Sequence, residues 1–378
     1  MIWPFLMVYV RQQVNITLTQ AATLTTIQAM AGIIASFIAG PITDRVGRKW
    51  VMVISLAANG VVYFFMSAAH TYLAFAILMA LSGSVNPLYR VGADATVADM
   101  IKPEKRADAY ALMRLSNNAG ISIGPMIGGS LSAVSFIIPF YFAGVGMLIY
   151  SLLLTFFAIE TMPEPTSTGE KITNTFRGYT QVLRDTKFLT FIGAFILSQM
   201  CATMMWILMP VYANSNFNIP MNRYDIIPTT NALMVVFIQI FVTRITKKYH
   251  PLPVMMVGTL FYALGVGSVA LGTSLTGFWI SIVIMTFGEL ILAPTASSYV
   301  ANLAPPDMRG RYMSVAGLTW SAAAGIAPVL GGLLNDNIAP VATWYGGFTV
   351  GLLGLLGFFI LSRRDRVAPA PITPGEIL

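Results

Sequence analysis

Charge is scarce in this chain: Asp, Glu, Lys and Arg together make up 10% of its 378 residues, while 56% are hydrophobic. Soluble domains carry roughly a quarter charged residues, so the composition excludes one and implies a polytopic membrane protein. Thiols are scarcer still. Cys201 is the single cysteine and lies in an apolar run, which excludes an internal disulfide, a thiolate cluster and a redox pair. His70 and His250 are the only histidines, both in predicted loops, which argues against a metalloenzyme. There is no Gly-x-x-x-x-Gly-Lys-Ser/Thr loop and no nucleophile with an adjacent base, so neither direct ATP use nor enzymatic catalysis is expected. The net charge of +7 is too scattered for a nucleic-acid stripe.

What the chain does have is a series of apolar runs, each about 20 residues, the length of a bilayer span. Eleven are expected, at 20–40, 50–68, 72–99, 108–131, 137–158, 189–213, 224–245, 251–272, 276–301, 312–334 and 340–361. A shorter run at 1–10 precedes them. Alternate loops hold the basic residues: Arg45, Arg48 and Lys49; Lys102, Lys105 and Arg106; Lys171, Arg177, Arg184 and Lys187; Arg244, Lys247 and Lys248; Arg309 and Arg311. Arg363, Arg364 and Arg366 follow the last run, and the opposite loops hold only Arg11 and Arg223. Positive charge stays on the cytoplasmic side, so this pattern sets an orientation with both ends of a full-length chain in the cytoplasm of a cell membrane.

The two halves repeat. Pro103, Arg106, Pro125, Gly128 and Gly129 return 203 residues later as Pro306, Arg309, Pro328, Gly331 and Gly332, without a gap. Val8-Tyr9 likewise returns as Val211-Tyr212. Tandem six-helix bundles related by an axis along the membrane normal are therefore expected, at 1–159 and 189–361. Residues 160–188 form the connection, either a surface amphipathic helix around Phe176, Tyr179, Val182 and Leu183 or a plain tether, and 362–378 a tail. The same offset puts the start of the first helix before Met1, so that helix is expected to be incomplete.

Two motifs carry mechanism. The first is Gly40-Pro-Ile-Thr-Asp44-Arg45-Val-Gly47-Arg48-Lys49, a compact polar turn between two long apolar runs. The second is Gly120-x-x-x-Gly124-Pro125-x-x-Gly128-Gly129 in the fifth helix, where proline bends the helix and glycines permit close packing. With the helix count and the repeat, the pair resembles the signatures of the major facilitator superfamily, drug/proton antiporter branch. The resemblance implies an all-α membrane fold of two six-helix bundles that rock about a central cavity. It also implies that Asp44 approaches the start of helix eleven when the cytoplasmic side closes, with Arg45 and Arg48 reaching acids such as Asp99. The plainer alternative is a turn whose charges are solvated. In the fourth helix the family's antiporters carry an arginine four residues before a glycine. If Gly83 is that glycine, the position holds Met79, and Arg90 stands two turns beyond it.

Ionisable groups inside a membrane are costly unless paired or wetted. Asn86, Arg90 and Asp94 recur every four residues and make one stripe, in which Arg90 and Asp94 are spaced to pair. Arg114 and Asn118 lie on the fifth helix, where Arg114 either faces the cavity or extends to the surface. Glu289 is near the middle of its span, with no basic residue close in sequence. It is the first candidate for reversible proton binding, against a permanently neutral packed acid, and Asp94 is the second. Gln199, Trp206, Asn231 and Trp320 are candidate cavity residues, with Trp3, Met204, Met205 and Gln239, in a wall adapted to apolar or cationic cargo. The expected activity is proton-coupled export of small amphipathic or cationic compounds by a monomer, with protons as coupling ion and no cofactor. The alternatives are a proton-coupled importer of a polar nutrient, or a non-transporting sensor on the same scaffold.

Overall fold

The computed structural model describes residues 3–102, 105–162, 181–305 and 308–367. Twelve helices of twelve or more residues run through them: α1 (Trp3–Val14), α2 (Leu18–Val46), α3 (Arg48–Ser67), α4 (Tyr72–Met100), α5 (Arg106–Val134), α6 (Ile138–Phe157), α7 (Thr186–Phe217), α8 (Ile226–Thr246), α9 (Pro251–Ser268), α10 (Leu275–Leu303), α11 (Arg309–Asn337) and α12 (Ala342–Val367). Ten of these regions are long and apolar enough to span a membrane; α1 is too short, and α5 is more polar.

Helix ends follow local chemistry. Thr17 caps α2 in a reciprocal box with Gln20. Thr71, Asp185 and Ser274 accept backbone N–H groups at the starts of α4, α7 and α10. The compact turn expected after residue 40 is mostly helix. α2 continues through Pro41, Asp44 and Arg45, and Gly47 alone interrupts it, at φ +100°. A left-handed residue without a Cβ breaks the helix at one position, and α3 restarts immediately. α12 similarly runs past the expected end at 361 to Val367. Most of the connection expected to carry an amphipathic helix, and the tail beyond Val367, lie outside the described residues.

Two main apolar cores form, the larger centred on the second half and also taking in Phe5, Val8 and Leu18 of the first. Tyr9, Met66, Phe75, Met79 and Phe140 fill the first. Phe188, Phe191, Tyr212, Phe278 and Trp344 anchor the second, around α7. Met79 is therefore a core residue, 1% exposed, and not a polar site. The halves meet along α2–α11, α5–α8 and α1–α7. The named contacts cluster at the face opposite the basic loops. The Thr26 hydroxyl donates to the Gly325 carbonyl, the Thr19 N–H to Asp336 at 2.8 Å, Arg11 to Ser215 at 3.3 Å, and Gln12 to Asn214 at 3.4 Å. Glycines let these backbones touch. A Cβ added at Gly332 would sit 2.8 Å from the Thr19 Cα, and one at Gly129 would sit 3.0 Å from the Asp225 Cβ. Among the described residues, a Cβ at Gly40, Gly120 or Gly317, toward the basic loops, meets nothing within 4 Å.

Candidate functional site

Three clusters hold the residues singled out by sequence. At the basic face, Arg48 extends from the first turn of α3, 3.2 Å from Asp44 and 3.2 Å from Asp99 at the end of α4. Asp44 itself is largely exposed and makes this contact within its own bundle. A third acid completes the cluster. Glu160, just past α6, accepts the backbone N–H groups of Arg48 (2.8 Å), Lys49 (3.2 Å), Thr161 (3.0 Å) and Met162 (3.0 Å). A carboxylate at the first N–H groups of α3 is favoured by both hydrogen bonding and the helix dipole. The Thr161 hydroxyl donates to Asp99 at 3.2 Å, so the segment leaving α6 is tied to α3 and α4. Glu160 and Thr161 were missed by sequence reasoning, since nothing at residue 160 signals a partner 112 positions earlier.

The second cluster surrounds Glu289, at the middle of α10. It shares a helical face with the buried Phe278, Ile282, Met285 and Ala296, while Ile280 on the other side is 48% exposed. Glu289 thus points into the C-terminal bundle and is half-buried there. Buried Asn231 of α8 donates to its carboxylate at 2.8 Å and to Thr286 at 2.9 Å. Gly288 and Gly258 let α9 and α10 pack backbone to backbone, which brings Tyr262 against the same turn. Gln239 ties α8 to α10 by donating to the Leu290 carbonyl at 3.0 Å.

The third cluster is on α4. Asn86, Arg90 and Asp94 are all exposed on one side of that helix, and Arg90 acts electrostatically on Asp94. The opposite side presents exposed Leu73, Ile77 and Leu81, a lipid-facing row, so the polar stripe faces the space between the bundles. Behind Asn86 three groups close a ring: Ser82 donates to Asn59 (3.0 Å), Asn59 to Asn86 (3.2 Å), and Asn86 back to Ser82 (3.4 Å). Gln28 of α2 also donates to Ser82 at 3.4 Å.

The remaining candidates are dispersed. Gln199 and Trp206 are half-buried on α7, Trp206 against the second core, and Trp320 is half exposed on α11. Met204 and Met205 are fully buried and do not line a cavity, because α7 is the centre of its bundle. The side chains of Trp3, Arg114 and Asn118 lie outside the described residues. In the fifth-helix motif, Pro125, Gly128 and Gly129 are buried and Gly124 is half-buried, whereas Gly120 is exposed.

A membrane body of two packed helical bundles is the architecture of a secondary transporter and not of an enzyme. The chain belongs to the Major Facilitator Superfamily, whose family model matches residues 1–249 and 192–376. It is 27% identical to the Na(+), Li(+), K(+)/H(+) antiporter of Planococcus maritimus, across 96% of this chain and 90% of that one. It is 24% identical to the multidrug resistance protein MdtH of Yersinia enterocolitica, across 88% and 83% respectively. Among solved structures it superposes on a bacterial homologue of the lysosomal transporter Spinster, inward-facing and occupied, with a TM-score of 0.77, 14% identity and coverage of 98% and 96%.

Proposed function

We propose that this transporter exports small amphipathic or cationic molecules in exchange for protons, as a monomer of the cell membrane with its basic loops in the cytoplasm and no cofactor. The observation that carries this is Glu289: a carboxyl group at mid-span, turned into the bundle, half-buried and held by Asn231 at 2.8 Å. Ionisable groups inside a membrane span are retained for function, and reversible proton binding is the reading this placement supports. Cargo with positive charge and a proton then compete for one anionic group. Asp94, exposed on α4 beside Arg90, is the second candidate acid.

The gate reading supports alternating access. With the face opposite the basic loops sealed by α2–α11 and α5–α8, the chain is in its inward-open state. Closing the basic face would bring Asp44, now exposed, toward the start of α11, where a carboxylate meets the positive end of the helix. The fifth-helix motif would supply the hinge of that motion, since Gly128 and Gly129 are packed while Gly120 is open.

A second reading has inorganic monovalent cations as the cargo, favoured by the similarity to the Planococcus maritimus antiporter along nearly the whole chain. Calorimetry of detergent-purified protein separates the two. Binding of ethidium, measured in buffers of different ionisation enthalpy, is expected to release protons from the native chain and none from Glu289→Gln. Proton release by sodium or lithium but not ethidium would replace the first reading with the second, and no release with either would refute both.

A further inference from the structure

The lipid-facing wall of the first bundle carries a groove with a charged end. α2 and α4 pack closely where Gly32 and Gly83 meet, a Cβ at Gly32 lying 3.4 Å from the Gly83 carbonyl oxygen. From that level toward the basic face, small residues leave room between the same two helices. Ala31, Ala35 and Ser84, with the larger Ile38, Ile42 and Leu88, line a cavity of about 230 Å³. Both of its sides belong to the lipid face. Ile34 and Ile38 are 63% and 52% exposed on α2. On α4, Ser84 and Leu88 continue, at intervals of three and four, the exposed row of Leu73, Ile77 and Leu81. The Ser84 hydroxyl donates to the Ala80 carbonyl at 2.9 Å, so its bonding is met within its own helix. The groove is as long as one leaflet is deep. From Ala31 to Ile42, α2 rises about 17 Å, and half the hydrocarbon core of a bilayer is about 15 Å.

The charge follows directly. Arg45 is three residues past Ile42 and seven past Ile38, on the same face of α2. Lys102 comes just after the end of α4 at Met100. Both are exposed, and the acids nearest to them in sequence, Asp44 and Asp99, are held by Arg48. Among the described residues, Arg45 and Lys102 form no ion pair.

We infer that this groove holds one anionic phospholipid from the leaflet at the basic face, with an acyl chain between α2 and α4 and the phosphate at Arg45 and Lys102. An acyl chain lying over small residues gains contacts on several sides, which a convex helix surface does not offer. The guanidinium of Arg45 suits a phosphate by its paired donors, and Lys102 adds a point charge. A basic site between membrane helices at the cytoplasmic side favours anionic headgroups over neutral ones. The two arginines of the loop motif thus divide their work: Arg48 engages acids within the bundle, and Arg45 engages the bilayer. The site lies on the outer wall, away from the space between the bundles, and stands independently of the export reading.

The test titrates phosphatidylglycerol and phosphatidylcholine with the same acyl chains into the detergent-purified full chain and counts bound lipid by native mass spectrometry. The native chain is expected to bind one phosphatidylglycerol about tenfold or more tightly than phosphatidylcholine, and Arg45→Gln and Lys102→Gln should each reduce that preference about fivefold. Lys248→Gln, in a basic loop of the other half, should leave it within about twofold, since general surface charge does not create a site. Ala31→Leu fills the groove and should weaken both lipids together. Ser84→Leu fills it from α4 and serves if the first variant does not purify. Equal affinity of the native chain for the two lipids would mean an ordinary bilayer contact and overturn the assignment. So would an equal loss of preference in Lys248→Gln, or a filled groove that binds phosphatidylglycerol as before. Neither cargo nor a proton gradient enters this assay, so its failure is distinct from failure of proton exchange at Glu289.

Discussion

Replacing Asp336 with Asn tests how the sealed face is held. Asp336 ends α11 and accepts the Thr19 N–H at the first turn of α2 at 2.8 Å, 317 residues away; Asn335 braces it from the side at 2.8 Å, and Arg11 acts on it electrostatically. A hydrogen bond to a charged group contributes about 1.5–3 kcal/mol. Asp336 is exposed, so solvent screening reduces the charge-dependent part to about 1 kcal/mol. Asn retains the shape and a carbonyl oxygen but loses the charge. The equilibrium between sealed and open forms of this face should then shift about fivefold toward open. Spin labels at Ala68→Cys and Leu271→Cys, equivalent exposed positions of the two halves near that face, report the separation by pulsed dipolar spectroscopy. Cys201 is fully buried and does not compete for label. A larger population of long distances in Asp336→Asn is expected. An unchanged distribution would show that packing alone seals the face.

Gly332→Ala places a Cβ 2.8 Å from the Thr19 Cα, so it should bias the chain away from the sealed form more strongly than Asp336→Asn in the same spectroscopic measurement. Gly47→Ala forces a side chain into φ +100° and against the Glu160 carboxylate, at a cost of about 1–3 kcal/mol from the backbone alone. Thermal unfolding of Gly47→Ala should show a lower midpoint. Asp99→Asn weakens the contacts with Arg48 and Thr161, and should slow turnover in vesicles while cargo affinity is retained.

Most spans were legible in the sequence because they are long apolar runs, with α5 the more polar exception, and the repeat was legible because prolines and glycines return without a gap. Contacts between distant segments were not. Glu160 and Asp336 act on partners 112 and 317 positions away, and no periodic pattern marks either one. Gln28, Asn59 and Ser82 look like ordinary polar interruptions until α2, α3 and α4 are packed together. The 203-residue offset held the missing signal: applied to Asn231, Tyr262 and Glu289 it returns Gln28, Asn59 and Asn86. The turn after residue 40 misled for a local reason. Pro41 and Gly40 suggest an early end to α2, but a proline near the end of a long helix removes one backbone bond and leaves the rest in place.

Reconstituted vesicles test the central claim most directly. With ethidium inside and a pH gradient imposed, the native chain should drive uptake against the concentration gradient. Glu289→Gln should lose that uptake. Gradient-driven uptake that survives in Glu289→Gln would contradict a shared proton and cargo site on α10.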